Sequence, residues 1–119
     1  MSARDDQLAL LRTATQKLAE SAEVQIAGLL QDGFTHMVDE LALQFDDYYR
    51  SVRHWVADAQ LAAALVLLDE ALEEMSSPGV EALWSFDALR AAPEWQRIRD
   101  LADATLACHW TVHPADREQ

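Results

Sequence analysis

Cysteine, glycine, lysine and long apolar runs are all scarce in this chain of 119 residues, and each scarcity excludes something. The one cysteine, Cys108, cannot make an intramolecular disulfide, which agrees with a reducing compartment. The three glycines form no P-loop, no G-x-G-x-x-G and no G-x-S-x-G, so phosphate cradles, dinucleotide sites and nucleophile elbows have no signature here. Lys17 is the sole lysine against eight arginines, asparagine is absent and alanine is abundant, a composition that looks like a GC-rich bacterial or phage gene. No charged-then-apolar signal follows the opening MSARDD, and the longest apolar run, Leu61 to Leu68, is far short of the roughly 20 residues that span a bilayer. The expectation is a cytoplasmic protein.

Positive charge is the most telling shortage. The formal charge is −12, and no lysine or arginine lies between Arg53 and Arg90, where Asp58, Asp69, Glu70, Glu73, Glu74, Glu81 and Asp87 fall. Such a field repels nucleic acid and anionic lipid and draws in basic protein surfaces. The partner class expected is therefore a basic protein, with no direct binding to nucleic acid or membrane.

What is present is helical periodicity. The length suits one domain with a single core, expected over residues 1–112 with a disordered tail at 113–119. A first helix, capped by Asp5 or Asp6, runs to about Gln31 with Leu8, Leu11, Thr15, Leu18, Ala22 and Leu29 on one stripe. Asp32-Gly33 ends it, and Gly28 in its last turn suggests a close helix contact. From Phe34 to Trp55 the stripe Val38, Leu41, Phe45, Tyr48, Val52 and Trp55 keeps helical period. The apolar stripe then moves to nearly the opposite side, so residues 34–75 read as two helices broken near His54 to Asp58.

The second of these, Asp58 to Met75, is the most apolar stretch and reads as the central helix. Leu61, Ala64, Leu65, Leu68, Leu72 and Met75 share a face; Ala62, Ala63, Val66 and Leu67 make the start apolar all round, and Asp69, Glu70, Glu73 and Glu74 make the end an acidic ridge. Ser76-Ser77-Pro78-Gly79 is a loop. Val80 to Ala92 is partly helical, with Ser85 or Asp87 as cap and Leu83, Trp84, Phe86 and Leu89 facing the core. Pro93 opens a last helix at its first position, with Trp95, Ile98, Leu101, Ala102, Thr105, Cys108, His109 and Val112 on one face and its end at His113-Pro114. The fold class is all-α, a single-domain antiparallel bundle of four to five helices.

The ridge is the first candidate site. Asp69 with Glu73 and Glu70 with Glu74 are like-charge i, i+4 pairs, each unfavourable by about 0.2–0.5 kcal/mol in an isolated helix, near a helix C-terminus that itself disfavours anions. Such a ridge serves either as a solvated face or as a docking surface for arginine and lysine. A second patch joins Asp39, Glu40, Asp46 and Asp47 to Tyr48 and Tyr49. Tyr48 continues the core stripe, which leaves Tyr49 exposed as an interface anchor. Trp110 falls off the apolar face of the last helix and is a further contact candidate. The partner-binding set is thus Asp69, Glu70, Glu73, Glu74, Glu81, Asp46, Asp47, Tyr49 and Trp110.

Catalytic, cofactor and metal sites are not expected. E-x-x-E occurs at Glu20/Glu23 and Glu70/Glu73, but the E-x-x-D that helical pyrophosphohydrolases add is missing, as is the E-x-x-H of di-iron bundles. Arg50 and His54 are too close for the helical ribonucleases of the HEPN type. His36/Glu40 and His54/Asp58 read as surface ion pairs, His109 as a core histidine and Cys108 as an inert core thiol. The leading expectation is a non-enzymatic acidic inhibitor that occludes a basic partner, immunity-protein-like, antitoxin-like or phage-inhibitor-like. A homodimeric structural protein and a small Mg-dependent hydrolase using the E-x-x-E carboxylates are the alternatives.

Overall fold

Apolar residues three and four apart build helix after helix. A computed structural model, which describes residues 3–33, 37–77 and 79–113, forms α1 (Ala3–Ala19), α2 (Ala22–Gln31), α3 (Glu40–Val52), α4 (Ala59–Glu74), α5 (Phe86–Ala91) and α6 (Pro93–Leu106). Short 3-10 turns lie at Arg53–Trp55 and Glu81–Leu83, and there is no strand among the described residues. The protein is an all-α bundle, and no described helix is long and apolar enough to cross a membrane.

The boundaries have chemical causes. The single first helix expected through Gln31 is two helices, because Ser21 Oγ accepts the Val24 N–H at 3.3 Å and starts α2 afresh. The carbonyls left at the end of α1 are taken by side chains: Gln25 Nε2 donates to Lys17 O at 3.0 Å and to Leu18 O at 3.1 Å, and Arg99 Nε donates to Glu20 O at 3.1 Å. α2 stops as expected at Asp32-Gly33, where Gly33 has φ of 85°. Gly28 admits no close contact; a Cβ built there meets nothing within 4 Å.

The expected break in residues 34–75 is present. α3 ends at Val52, and Asp58 starts α4 by accepting the Leu61 N–H on its carboxylate at 2.8 Å. Phe34 to His36 lie outside the described residues, as do Pro78 and the tail 114–119. The connection is held by the C-terminal segment. Val56 pairs with Val112 in an isolated antiparallel bridge, Ala57 N–H donates to Thr111 O at 2.9 Å, and His113 N–H donates to Trp55 O at 2.7 Å. Arg4 reaches the same place, its guanidinium 4.6 Å from the Trp55 ring centroid and Nη1 donating to His113 O.

This bridge corrects the end of the last helix. α6 stops at Leu106, because Trp110, Thr111 and Val112 are aromatic or β-branched and Thr111 O and His113 N–H find backbone partners on the 55–57 segment in extended form. His109 is consequently exposed, not in the core, and Cys108 is half-buried with its thiol donating to Ala104 O.

Ser85 caps α5 by accepting the Ala88 N–H at 3.0 Å, and Pro93 stands in the first turn of α6 as expected. Trp84 Nε1 donates to Met75 O at 2.7 Å and Trp95 Nε1 to Leu83 O at 2.6 Å, the two rings meeting edge to face at 5.4 Å. These bonds fasten the 81–83 turn over the end of α4.

The packing places α1 between α3 and α6, and α6 between α1 and α4. The central helices are therefore α1 and α6; the stretch from Asp58 to Met75 is peripheral. α4 buries Leu61, Leu65, Leu68, Ala71 and Leu72 against the core, but Val66 and Leu67 are 44% and 51% exposed, so it is not buried all round. Of the four seams in the ring α3, α1, α6, α4, three are closely packed and the α3/α4 seam is wider.

Candidate partner-binding groove

The wide seam is a groove whose walls follow from helical spacing. Asp39, Leu43, Asp46 and Arg50 succeed one another at i, i+4, i+7 and i+11 along α3 and the residue before it, while Asp69, Leu72 and Glu73 line the facing side of α4 and Ser76 the turn after it. Two adjoining hollows share Ala42, Leu43, Ser76 and Ser77. One, of about 420 Å³, is walled by Asp46, Arg50, Asp69 and Glu73. The other, of about 430 Å³, is walled by Leu43, Met75, Trp84 and Glu81. Leu43 lies beside Ser76 and Arg50 beside Asp69, so the two helices run antiparallel along it.

The groove is negative. Arg50 Nε stands 3.0 Å from both carboxylate oxygens of Asp46, and no ion pair engages Asp69 or Glu73 among the described residues. Partial burial, then the charges of Glu73 and Asp46, push the Asp69 carboxyl above its ordinary value, against Arg50 and Arg53. Burial, with Asp69 next, also raises the Tyr49 phenol. The carboxylates of two helices, more than twenty residues apart in the chain, thus act on one another across the seam.

The expected site residues divide. Asp46, Asp69, Glu73 and Glu81 come together around the groove. Glu81 also serves the local fold, since its carboxylate accepts its own N–H and that of Gly79, which lowers its pKa. Asp47 and Glu70 are exposed but do not line the groove, and Glu74 turns to the α6 side, 3.3 Å from Arg97 Nη1. Tyr49, expected on the surface, is only 7% exposed, its ring stacked on Phe45 at 5.5 Å. The buried stripe of α3 follows Leu41, Phe45, Tyr49 and Val52, steps of four, four and three, so Tyr48 is the half-buried one. Trp110 is half-buried as well. Since α6 ends before it, the helical wheel does not apply; its Nε1 donates to Thr105 O at 3.2 Å and Arg12 sits 5.8 Å from its ring centroid.

The E-x-x-E and histidine readings also change. Glu20 lies in the break between α1 and α2, and Glu23 pairs with Arg90 at 2.9 Å, so the two do not stand side by side on one helix. Asp58 uses its carboxylate for the α4 cap and not for His54. Among the described residues no group of three or more His, Cys, Asp or Glu is placed to hold a metal ion.

The chain matches no protein-family model, no curated protein and no solved structure. The groove alone therefore carries the functional reading. Sequence reasoning missed Leu43, Arg50 and Trp84 as groove residues. The i, i+4, i+7, i+11 series from Asp39 to Arg50 was the available signal for the first two; the position of Trp84 depends on its bond to Met75 O and has no local signature.

Proposed function

We propose that the protein is a small acidic binding protein, without catalysis of its own, that occludes a basic partner in the manner of an immunity protein, an antitoxin or a phage inhibitor. The observation that carries this reading is the meeting of Asp46, Asp69 and Glu73 from two helices in the open seam between α3 and α4. Carboxylates that repel one another in the free protein gain charge-assisted hydrogen bonds when guanidinium or ammonium groups enter, and the surrounding −12 charge steers such a partner inward. Arginines and lysines that would otherwise grip phosphates are then covered.

A pull-down from the native host tests it, at about 0.1 M and about 1 M salt, where screening lengths are roughly 10 and 3 Å. The natural chain is expected to retain a basic protein at low salt and release it at high salt. The double variant Asp69→Lys, Glu73→Lys loses it with helix content unchanged by circular dichroism. Equal retention by the variant at low salt sinks the groove as the interface.

A further inference from the structure

Resting on that reading, we infer that the groove takes an amphipathic helix of the partner, with one large apolar side chain seated among Leu43, Met75 and Trp84 and with arginine or lysine on the same face meeting Asp46, Asp69 and Glu73. Leu43 supplies the apolar contact. It lies in the first turn of α3, is 47% exposed, and lines both hollows instead of joining the core. The neighbouring hollow of about 430 Å³ is large enough for a leucine or aromatic side chain, and its walls are mainly carbon.

The acids lie close by. Asp46 follows Leu43 by three residues on α3, and Glu73 and Asp69 precede Met75, the residue after α4, by two and six, which at about 1.5 Å per residue puts the acids roughly 3 to 9 Å along the groove from the hollow. A helix lying in the groove presents side chains three, four and seven residues from its anchor, about 4.5, 6 and 10.5 Å along its axis and all on one face, and a long arginine side chain spans the remaining distance to Asp69. From Asp39 to Arg50 the groove is about 16 Å long, about three helical turns. The described residues contain no strand edge to which an extended peptide would add. A second copy of this chain fits poorly, because it would bring another strongly negative surface against the same carboxylates.

The experiment uses the full chain labelled with ¹⁵N, titrated at about 0.1 M salt with three synthetic alanine-based helical peptides. One carries leucine with arginine four and seven positions on; one has that leucine replaced by alanine; one has the arginines replaced by glutamine. The complete peptide is expected to shift the Trp84 indole N–H and the amides of Leu43, Ser76 and Ser77. Loss of the leucine, or Leu43→Ser in the protein, weakens binding about tenfold or more, and the glutamine peptide does not bind. Equal affinity with and without the leucine overturns the anchored helix and leaves the occlusion reading standing on charge alone. Shifts confined to Glu70 and Glu74 overturn the groove as the seat. Failure of both arginine peptides to bind overturns the inference and the occlusion reading together.

Discussion

Asp69 shows at the scale of one residue what the groove costs the fold. Its carboxyl is raised by burial and by Glu73 and Asp46, so between its unfolded and folded pKa values the folded chain binds more protons than the unfolded one. Stability from this group is therefore fully present below the ordinary aspartate value and is lost as pH rises through the folded value. Asp69 opposes folding at neutral pH. The melting temperature is expected to rise as pH is lowered from 7 toward the ordinary aspartate value, and Asp69→Asn is expected to raise it at pH 7 and to flatten that rise. A melting temperature unchanged by the substitution at pH 7 contradicts this account. The neighbouring Tyr49 marks where residue-level reading failed: two adjacent tyrosines both lie near a helical stripe, and only packing against Phe45 decides between them.

Among the elements, α2 carries an unused opportunity. Gly28 is inside the helix, has no positive φ, and has open space where a side chain would stand. Gly28→Ala is expected to stabilise the protein by about 1 kcal/mol, read as a higher urea midpoint at unchanged slope; no gain would show that the backbone there is not free. Breaks between elements were legible where the stripe changes face, as before Asp58, and where Gly33 ends a helix. They were not legible at Ser21, since the stripe keeps its phase through the break, nor at Leu106, since the reason for stopping is Val56, far away in the chain. A helical wheel sees neighbours one turn apart and no others.

At the scale of the molecule, the all-α bundle could be read from periodicity, while the open seam could not, because it depends on which helices choose each other. α4 reads as central from its leucines, yet α1 and α6 take that place. Part of the cause is Arg99. Only 8% exposed, it donates to Glu20 O, Gln25 Oε1 and Leu89 O, tying α6 to the α1/α2 break and to α5 with no carboxylate partner among the described residues. Burial lowers its pKa. Lysine keeps the charge but not the planar fork that spans these acceptors. Arg99→Lys is expected to cost about 2–4 kcal/mol, one or two charged hydrogen bonds, measured by urea unfolding; a loss under about 1 kcal/mol would show the network to be dispensable.

The bridge between Val56 and Val112 encloses all of α4, α5 and α6 between its two ends. Closing so long a loop costs conformational entropy, which the packing of the helices inside it must offset. Interactions made after the folding barrier leave the rate of folding almost untouched and act on the rate of unfolding. The few backbone bonds around residues 55–57 and 111–113 hold that loop shut at the start of α4, and variants that weaken them are expected to unfold faster with their folding rate little changed, read in a urea chevron.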